Sequence, residues 1–241
     1  MAKIFVSLPI MDKPEMPMIM SLYKAILTSK HKARLHITQN DSLISRVRNT
    51  SISAFYDEFP DYDYFVSIDS DLEIKNCYDT DNIFDRLIAH DLDFVGGLYS
   101  LKSTKQRRCS SIFMDNNKKV EFGTGLVEMK WLSSGCWCLK RSAVKKMIEA
   151  YPELTYDGDD NCAGKKIYGL YIPEIIKLKK EDNPELKRDY FKYASEDWAY
   201  CSRWLKIGGK IWADTNIALS HIGKCDYNLF DVDVVKEEIK K

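Results

Sequence analysis

Apolar runs and amphipathic segments alternate along the first hundred residues, and this alternation constrains the fold more than any other feature of the chain. Residues 4–8 read as a first strand ending at Pro9, residues 17–29 carry apolar positions at helical spacing, and residues 33–38 read as a second strand. Residues 42–59 predict a helix, because Leu43, Val47, Phe55 and Phe59 recur near a 3.6 period and Asp41 or Ser42 is a natural N-cap. Residues 64–68 follow as a third strand rich in aromatic and β-branched side chains. A further helix over 82–90 and a strand over 92–98, ending in Gly96-Gly97, continue the series. Strand and helix in alternation predict an α/β fold built on a parallel sheet.

The third strand runs into Asp69-Ser70-Asp71. Open α/β sheets bind ligands at the carboxyl ends of their strands, which is where these two carboxylates fall. Residues two apart in an extended chain point to one side, so the pair would close on one hard cation, and that cation would hold a diphosphate. An acidic turn is the plainer reading of the triplet taken alone, and Glu73 just beyond it would compete for the same ion.

Beyond residue 100 the pattern loosens. Residues 99–111 form a basic segment with Lys102, Lys105, Arg107 and Arg108, read as a solvated loop or as an active-site lid. Residues 112–129 predict a hairpin turning at Asn116-Asn117, residues 137–139 an apolar strand and residues 141–151 a helix, whereas residues 155–188 give no clear pattern. The 241 residues, 45% hydrophobic, suffice for one large domain. Positive and negative side chains balance at 36 each, so no global field recruits nucleic acid or an acidic membrane. Met1 to Pro9 contains too short an apolar run for a signal peptide, and no segment approaches membrane-spanning length. Seven cysteines without Cys-x-x-Cys spacing, Cys136 and Cys138 among them, are expected as reduced core thiols. The expected setting is cytoplasmic, that of a bacterium or of a host cell if the source is viral.

Four further segments make a constellation with the Asp pair: Ser45-Arg46-Val47-Arg48-Asn49, Ser133-Ser134-Gly135-Cys136-Trp137, Ser195-Glu196-Asp197-Trp198, and Ile211-Trp212-Ala213-Asp214 leading to Ser220-His221-Ile222-Gly223. In this order they resemble nucleotide-sugar-dependent glycosyltransferases of the GT-A fold, closest to small enzymes of bacteria, phages and large DNA viruses, such as those that glycosylate algal virus capsids. The resemblance implies a GT-A (Rossmann-like) fold with a mixed, mostly parallel central sheet flanked by helices. It implies one domain over 1–241, with a nucleotide-binding half to about residue 100, an acceptor-binding half over 101–225 and a C-terminal tail over 226–241.

The same resemblance implies residue roles. Asp71 and His221 become metal ligands, with Asp69 a ribose or second contact to the metal; neutral imidazole favours Mn²⁺, with Mg²⁺ the alternative. Asp197 is the first choice for the base that deprotonates an acceptor hydroxyl and Glu196 the second, although Ser195 followed by acidic residues is also an ordinary helix start. Ser7, Leu8 and Pro9 form the loop under the nucleotide base, joined by Arg48, Asn49, Asp69 and Ser70. Arg46 and Arg48 cannot face the same way on a helix, and Arg48 is assigned the functional role. Gly97, Ser134, Gly135 and Trp198 approach the sugar or acceptor. The expected partners are a nucleotide diphosphate sugar, UDP-linked by preference, and a glycan or glycoprotein acceptor, with no nucleic acid. A nucleotidyltransferase is the nearest enzymatic rival, but it would carry a glycine-rich basic loop where this chain has Pro9-Ile10-Met11-Asp12. A non-catalytic carbohydrate-binding protein of the same fold is the rival from another class.

Overall fold

A computed structural model describes residues 1–78, 80–103, 109, 111–115, 121–159, 162–182, 187–223 and 226–228. Eight strands form the central sheet: β1 (Lys3–Ile10), β2 (Lys32–Gln39), β3 (Tyr64–Ile68), β4 (Phe94–Gly97), β5 (Ile112–Phe113), β6 (Leu126–Trp131), β7 (Cys136–Lys140) and β8 (Ile211–Asp214). Their spatial order is β2-β1-β3-β7-β4-β8-β6-β5. The pairs β1/β2, β1/β3 and β4/β8 are parallel, while β7 and β6 run against their neighbours, so six of the eight strands point one way. The expected mixed α/β sheet is therefore present, with three of its seven strand pairings parallel and four antiparallel.

Helices cover both faces. On one side α1 (Met16–Thr28) and α3 (Ile83–Ala89) pack Met18, Leu22, Phe84 and Leu87 against Ile4, Val6, Leu8 and Val66. On the other, α2 (Ile44–Ser53), α4 (Arg141–Ala150) and α5 (Glu196–Lys206) pack Ile52, Val144, Tyr200 and Trp204 against Phe5, Phe65 and Trp137. The period-2 alternation of each strand sorts its side chains between these two cores. Fully burying each such side chain contributes roughly 1.5–3 kcal/mol.

Local chemistry sets several helix ends. Asn82 caps α3, its side chain accepting from Phe84 N at 2.9 Å and Asp85 N at 3.4 Å. The helix expected over 42–59 is shorter: α2 starts after Leu43, whose N–H is held by Asp41 Oδ1 at 2.9 Å, and it passes into a wider π turn over Ala54–Glu58. The Arg141 guanidinium satisfies the carbonyls released there, donating to Phe55, Tyr56, Phe59 and Tyr62.

The region without a clear pattern contains two small hairpins, Thr155–Asp157 with Lys166–Tyr168 and Glu174–Leu178 with Tyr190–Ala194. Ile112–Phe113 pairs with the strand expected opposite it, but the turn at Asn116-Asn117 lies outside the described residues, as do Lys105, Arg107, Arg108, Cys225 and residues 229–241 of the tail. The other six cysteines are free thiols. Cys136 and Cys138 are core residues of β7, and burial pushes the Cys136 thiol up to about 12. Among the described residues no helix is long and apolar enough to cross a membrane.

Candidate functional site

The sheet face towards α2 changes character along its length. In β1 Phe5 is followed by Ser7, and in β3 Phe65 is followed by Ser67 and then Asp69, so an aromatic core gives way to polar groups at the carboxyl ends. Arg48 of α2 lies over these polar groups and is only 5% exposed. Its Nη2 donates to both Asp69 oxygens at 2.8 and 3.1 Å, its Nη1 donates to Ser67 Oγ at 3.2 Å, and its Nε lies 3.6 Å from Glu196 Oε1. Burial opposes the charge of this guanidinium, but Asp69 and Glu196 outweigh it and raise its pKa. Arg46, by contrast, forms an exposed pair with Asp41 at 2.6 Å, which places the two arginines as helical spacing requires.

The turn after β3 brings Asp71 to a second sheet. Leu72–Ile74 pairs antiparallel with Leu219–Ile222, and the register sets Leu72 opposite His221. Ile222 N donates to Asp71 O at 2.8 Å, and His221 Nε2 comes within 3.3 Å of Asp71 Oδ2 although 150 residues separate the two in sequence. His221 lies within this short strand rather than after it. Its Nδ1 is 2.8 Å from the carbonyl of Ser100, which can only accept, so Nδ1 carries a proton. Nε2 therefore faces the Asp71 carboxylate. Burial would raise the Asp71 carboxyl, yet hydrogen bonds from His221 and Lys102 outweigh it and hold the group at about 2.

The donor set, a carboxylate beside an imidazole fixed through its other nitrogen, fits a divalent transition metal. Among the described residues there is no cluster of three or more His, Cys, Asp or Glu side chains that could hold a metal by itself. Asp69 is paired with Arg48 at 2.8 Å. Glu73 pairs with Lys75 at 2.6 Å.

A cavity of about 230 Å³ opens beside Asp69, Ser70 and Asp71. Pro9, Ile10, Met11, Ile44 and Val47 give it apolar walls, and Asp41, Ser42 and Arg48 line it with polar groups. Strand β1 extends through Ile10, which corrects the expected loop: Ser7 and Leu8 are buried inside the strand, and only Pro9 of the three reaches the cavity. Asn49 is also reassigned, since its Oδ1 accepts from Tyr171 N at 2.8 Å and it ties α2 to residues 169–171 instead of lining the cavity. Of these apolar walls, Val47 falls within the Ser45–Asn49 segment, whereas Ile10, Met11 and Ile44 could have been singled out only by their place at a strand end and a helix start.

Glu196 and Asp197 open α5 beside this site and differ in environment. Burial and the neighbouring Asp197 raise the Glu196 carboxyl, with Arg48 opposing. Asp197 Oδ1 accepts from Ser195 Oγ and from Trp198 N, tying it into the first turn of the helix. Trp198 stacks on Trp131 at a centroid distance of 4.7 Å, and Lys192 lies 4.2 Å over its ring, so its packing is with protein groups. Gly135 supports the site from beneath: its carbonyl accepts from Asp69 N, its N–H donates to Tyr99 Oη, and a Cβ there would fall 2.7 Å from that hydroxyl. Ser134 is buried beside it. Gly97 is a packing residue, because a Cβ there would meet Ile217 and Leu219 at under 3 Å, so its expected contact with sugar is replaced by contact with the core.

No known family model and no curated protein matches this sequence. Among solved structures, A197 from STIV is similar at 17% identity with a TM-score of 0.55, covering 92% of this chain and 86% of that one. A glycosyltransferase involved in the glycosylation of the major capsid of PBCV-1 overlaps at 9% identity with a TM-score of 0.36, covering 63% of this chain and 66% of that one. Apo UDP-glucose pyrophosphorylase overlaps at 9% identity with a TM-score of 0.39, covering 79% of this chain and 59% of that one. The likeness to A197 extends over nearly the whole chain, and the mixed α/β fold is shared with it.

Proposed function

We propose that this protein is a metal-dependent glycosyltransferase of the GT-A type, moving a sugar from a nucleotide diphosphate donor, UDP-linked by preference, to a hydroxyl of a glycan or glycoprotein. The observation that carries this reading is the meeting of His221 with Asp71, which lines the cavity together with Pro9, Ile10, Asp69 and Ser70. Asp71 and His221 would hold the metal, Mn²⁺ before Mg²⁺, whose chemistry is to neutralise negative charge on the departing diphosphate. Because the described residues supply only these two ligands, donor and metal are expected to bind together.

The apolar walls at Ile10, Met11, Ile44 and Val47 suit a nucleobase, and Asp69, held by Arg48, presents its carboxylate to the ribose hydroxyls. The acceptor oxygen attacks the anomeric carbon as the bond to the diphosphate oxygen breaks, and its proton passes to a carboxylate on the opposite side. Glu196 is placed ahead of Asp197 in that role, since burial and the neighbouring charge raise its carboxyl while Asp197 Oδ1 is held by Ser195 Oγ and Trp198 N.

The test is turnover of a panel of UDP-, GDP- and ADP-sugars with Mn²⁺, following release of the nucleoside diphosphate by phosphorus NMR. The reading expects release from one donor class, slow without acceptor and dependent on metal. Pyrophosphate formed from a nucleoside triphosphate and a sugar phosphate would instead establish nucleotidyl transfer, and donor binding without turnover would establish a binding protein.

A further inference from the structure

The segment leaving β4 touches both members of the Asp71–His221 pair. The Tyr99 ring packs edge-on against His221 at 5.3 Å, the Ser100 carbonyl meets His221 Nδ1, and the Lys102 ammonium lies 2.6 Å from Asp71 Oδ2. This carboxylate oxygen is the one that also faces His221 Nε2 at 3.3 Å. Ser100 is anchored by an antiparallel bridge to Cys109, and Tyr99 is buried with its hydroxyl on Gly135 N, so the backbone before Lys102 is fixed while its own side chain is 38% exposed.

Two cations cannot share one carboxylate oxygen at contact distance without strong repulsion. A metal entering between Asp71 and His221 must therefore displace the Lys102 ammonium. A compact point charge on a flexible four-carbon stem, rooted two residues from the Ser100 anchor, leaves Asp71 without leaving the site. The nearest new anion is the diphosphate that the metal brings.

We propose that Lys102 is the resident counter-cation of Asp71 when metal is absent and becomes a ligand of the donor diphosphate when a metal takes that carboxylate. The inference rests on the reading of Asp71 and His221 as a cation site and adds a specific diphosphate-binding residue to it. It accounts for one cation serving two anions in turn, and it makes metal and nucleotide binding mutually dependent.

The experiment titrates Mn²⁺ alone, read by the electron paramagnetic resonance signal of the free ion, and then UDP in saturating Mn²⁺, read by calorimetry. Wild type, Lys102→Met and Lys102→Arg are compared. Lys102→Met should bind Mn²⁺ alone about fivefold more tightly, the worth of one partly exposed ion pair, and should bind UDP in saturating Mn²⁺ more weakly by a similar factor. Lys102→Arg should retain the wild-type competition against Mn²⁺. Equal Mn²⁺ affinity in wild type and Lys102→Met overturns the proposal and leaves the cation site standing, as does unchanged UDP affinity in Lys102→Met. Wild type that binds UDP equally well with and without Mn²⁺ overturns the cation-site reading beneath it.

Discussion

Replacing Arg48 by methionine keeps most of the side-chain volume and removes the cation on which the site is assembled. Arg48 is 6% exposed by side chain, and it faces Asp69 at 2.8 Å and Glu196 at 3.6 Å, whose side chains are 25% and 17% exposed. Removing one partner of a buried pair costs about 3–5 kcal/mol when the remaining charge is fully stranded. Here both carboxylates retain some contact with water, so the expected loss is about 2–3 kcal/mol. For a chain of this size that corresponds to a fall in melting temperature of roughly 5–10 °C. The deficit should depend on pH with a defined sign. Without Arg48 to oppose burial and Asp197, the folded-state carboxyl of Glu196 lies further above its unfolded value, so the native state takes up a proton first as pH falls and the deficit shrinks on acidification. In the wild type Glu196 already follows this sign, being raised by burial and Asp197. Thermal melts of both proteins from neutral pH down to about 4.5 would measure it. A variant melting within about 1 °C of wild type at neutral pH, or one whose deficit grows as pH falls, would show that Arg48 does not organise these carboxylates.

Glu196→Gln should keep nucleotide affinity and lose turnover by about a hundredfold to ten-thousandfold in a donor–acceptor transfer assay, whereas Asp197→Asn, which still offers an oxygen to Ser195 and Trp198, should stay within about tenfold of wild type. The reverse ranking would return the base to Asp197. Asn49→Ala leaves the buried Tyr171 N–H without its acceptor and should cost about 1–3 kcal/mol in urea unfolding, while calorimetric UDP affinity in the folded protein stays unchanged. Weakened UDP binding by that variant would restore Asn49 to the nucleotide site.

The alternation of strand and helix through β4 was legible because every element there except the edge strand β2 buries one face or both in a core, and burial leaves a period in the sequence. The carboxylate turn was legible for the same reason, since it follows an apolar strand whose end could be read. The contact between Asp71 and His221 could be assigned only through a family resemblance. It depends on the register of Leu72–Ile74 against Leu219–Ile222, and a three-residue strand carries too little pattern to announce a partner 150 residues away. Residues 174–194 were opaque because their hairpin leaves Ile175, Phe191 and Tyr193 exposed, which removes the alternation that marks a half-buried strand. Asn49 and Leu8 show the converse limit. A polar side chain beside a predicted site, or a residue at a predicted strand end, is claimed by the core when the backbone continues one turn or two residues further than the pattern suggests.

The central claim is that Asp71 and His221 form a cation site that a nucleotide diphosphate completes. Calorimetric titration of UDP into wild type, Asp71→Asn and His221→Gln, each with and without Mn²⁺, tests it most directly, with thermal melting to show that both variants fold. The account predicts tight binding only for wild type with Mn²⁺, and an affinity in each variant that Mn²⁺ no longer improves. Folded variants that bind UDP with wild-type affinity and wild-type dependence on Mn²⁺ would contradict it.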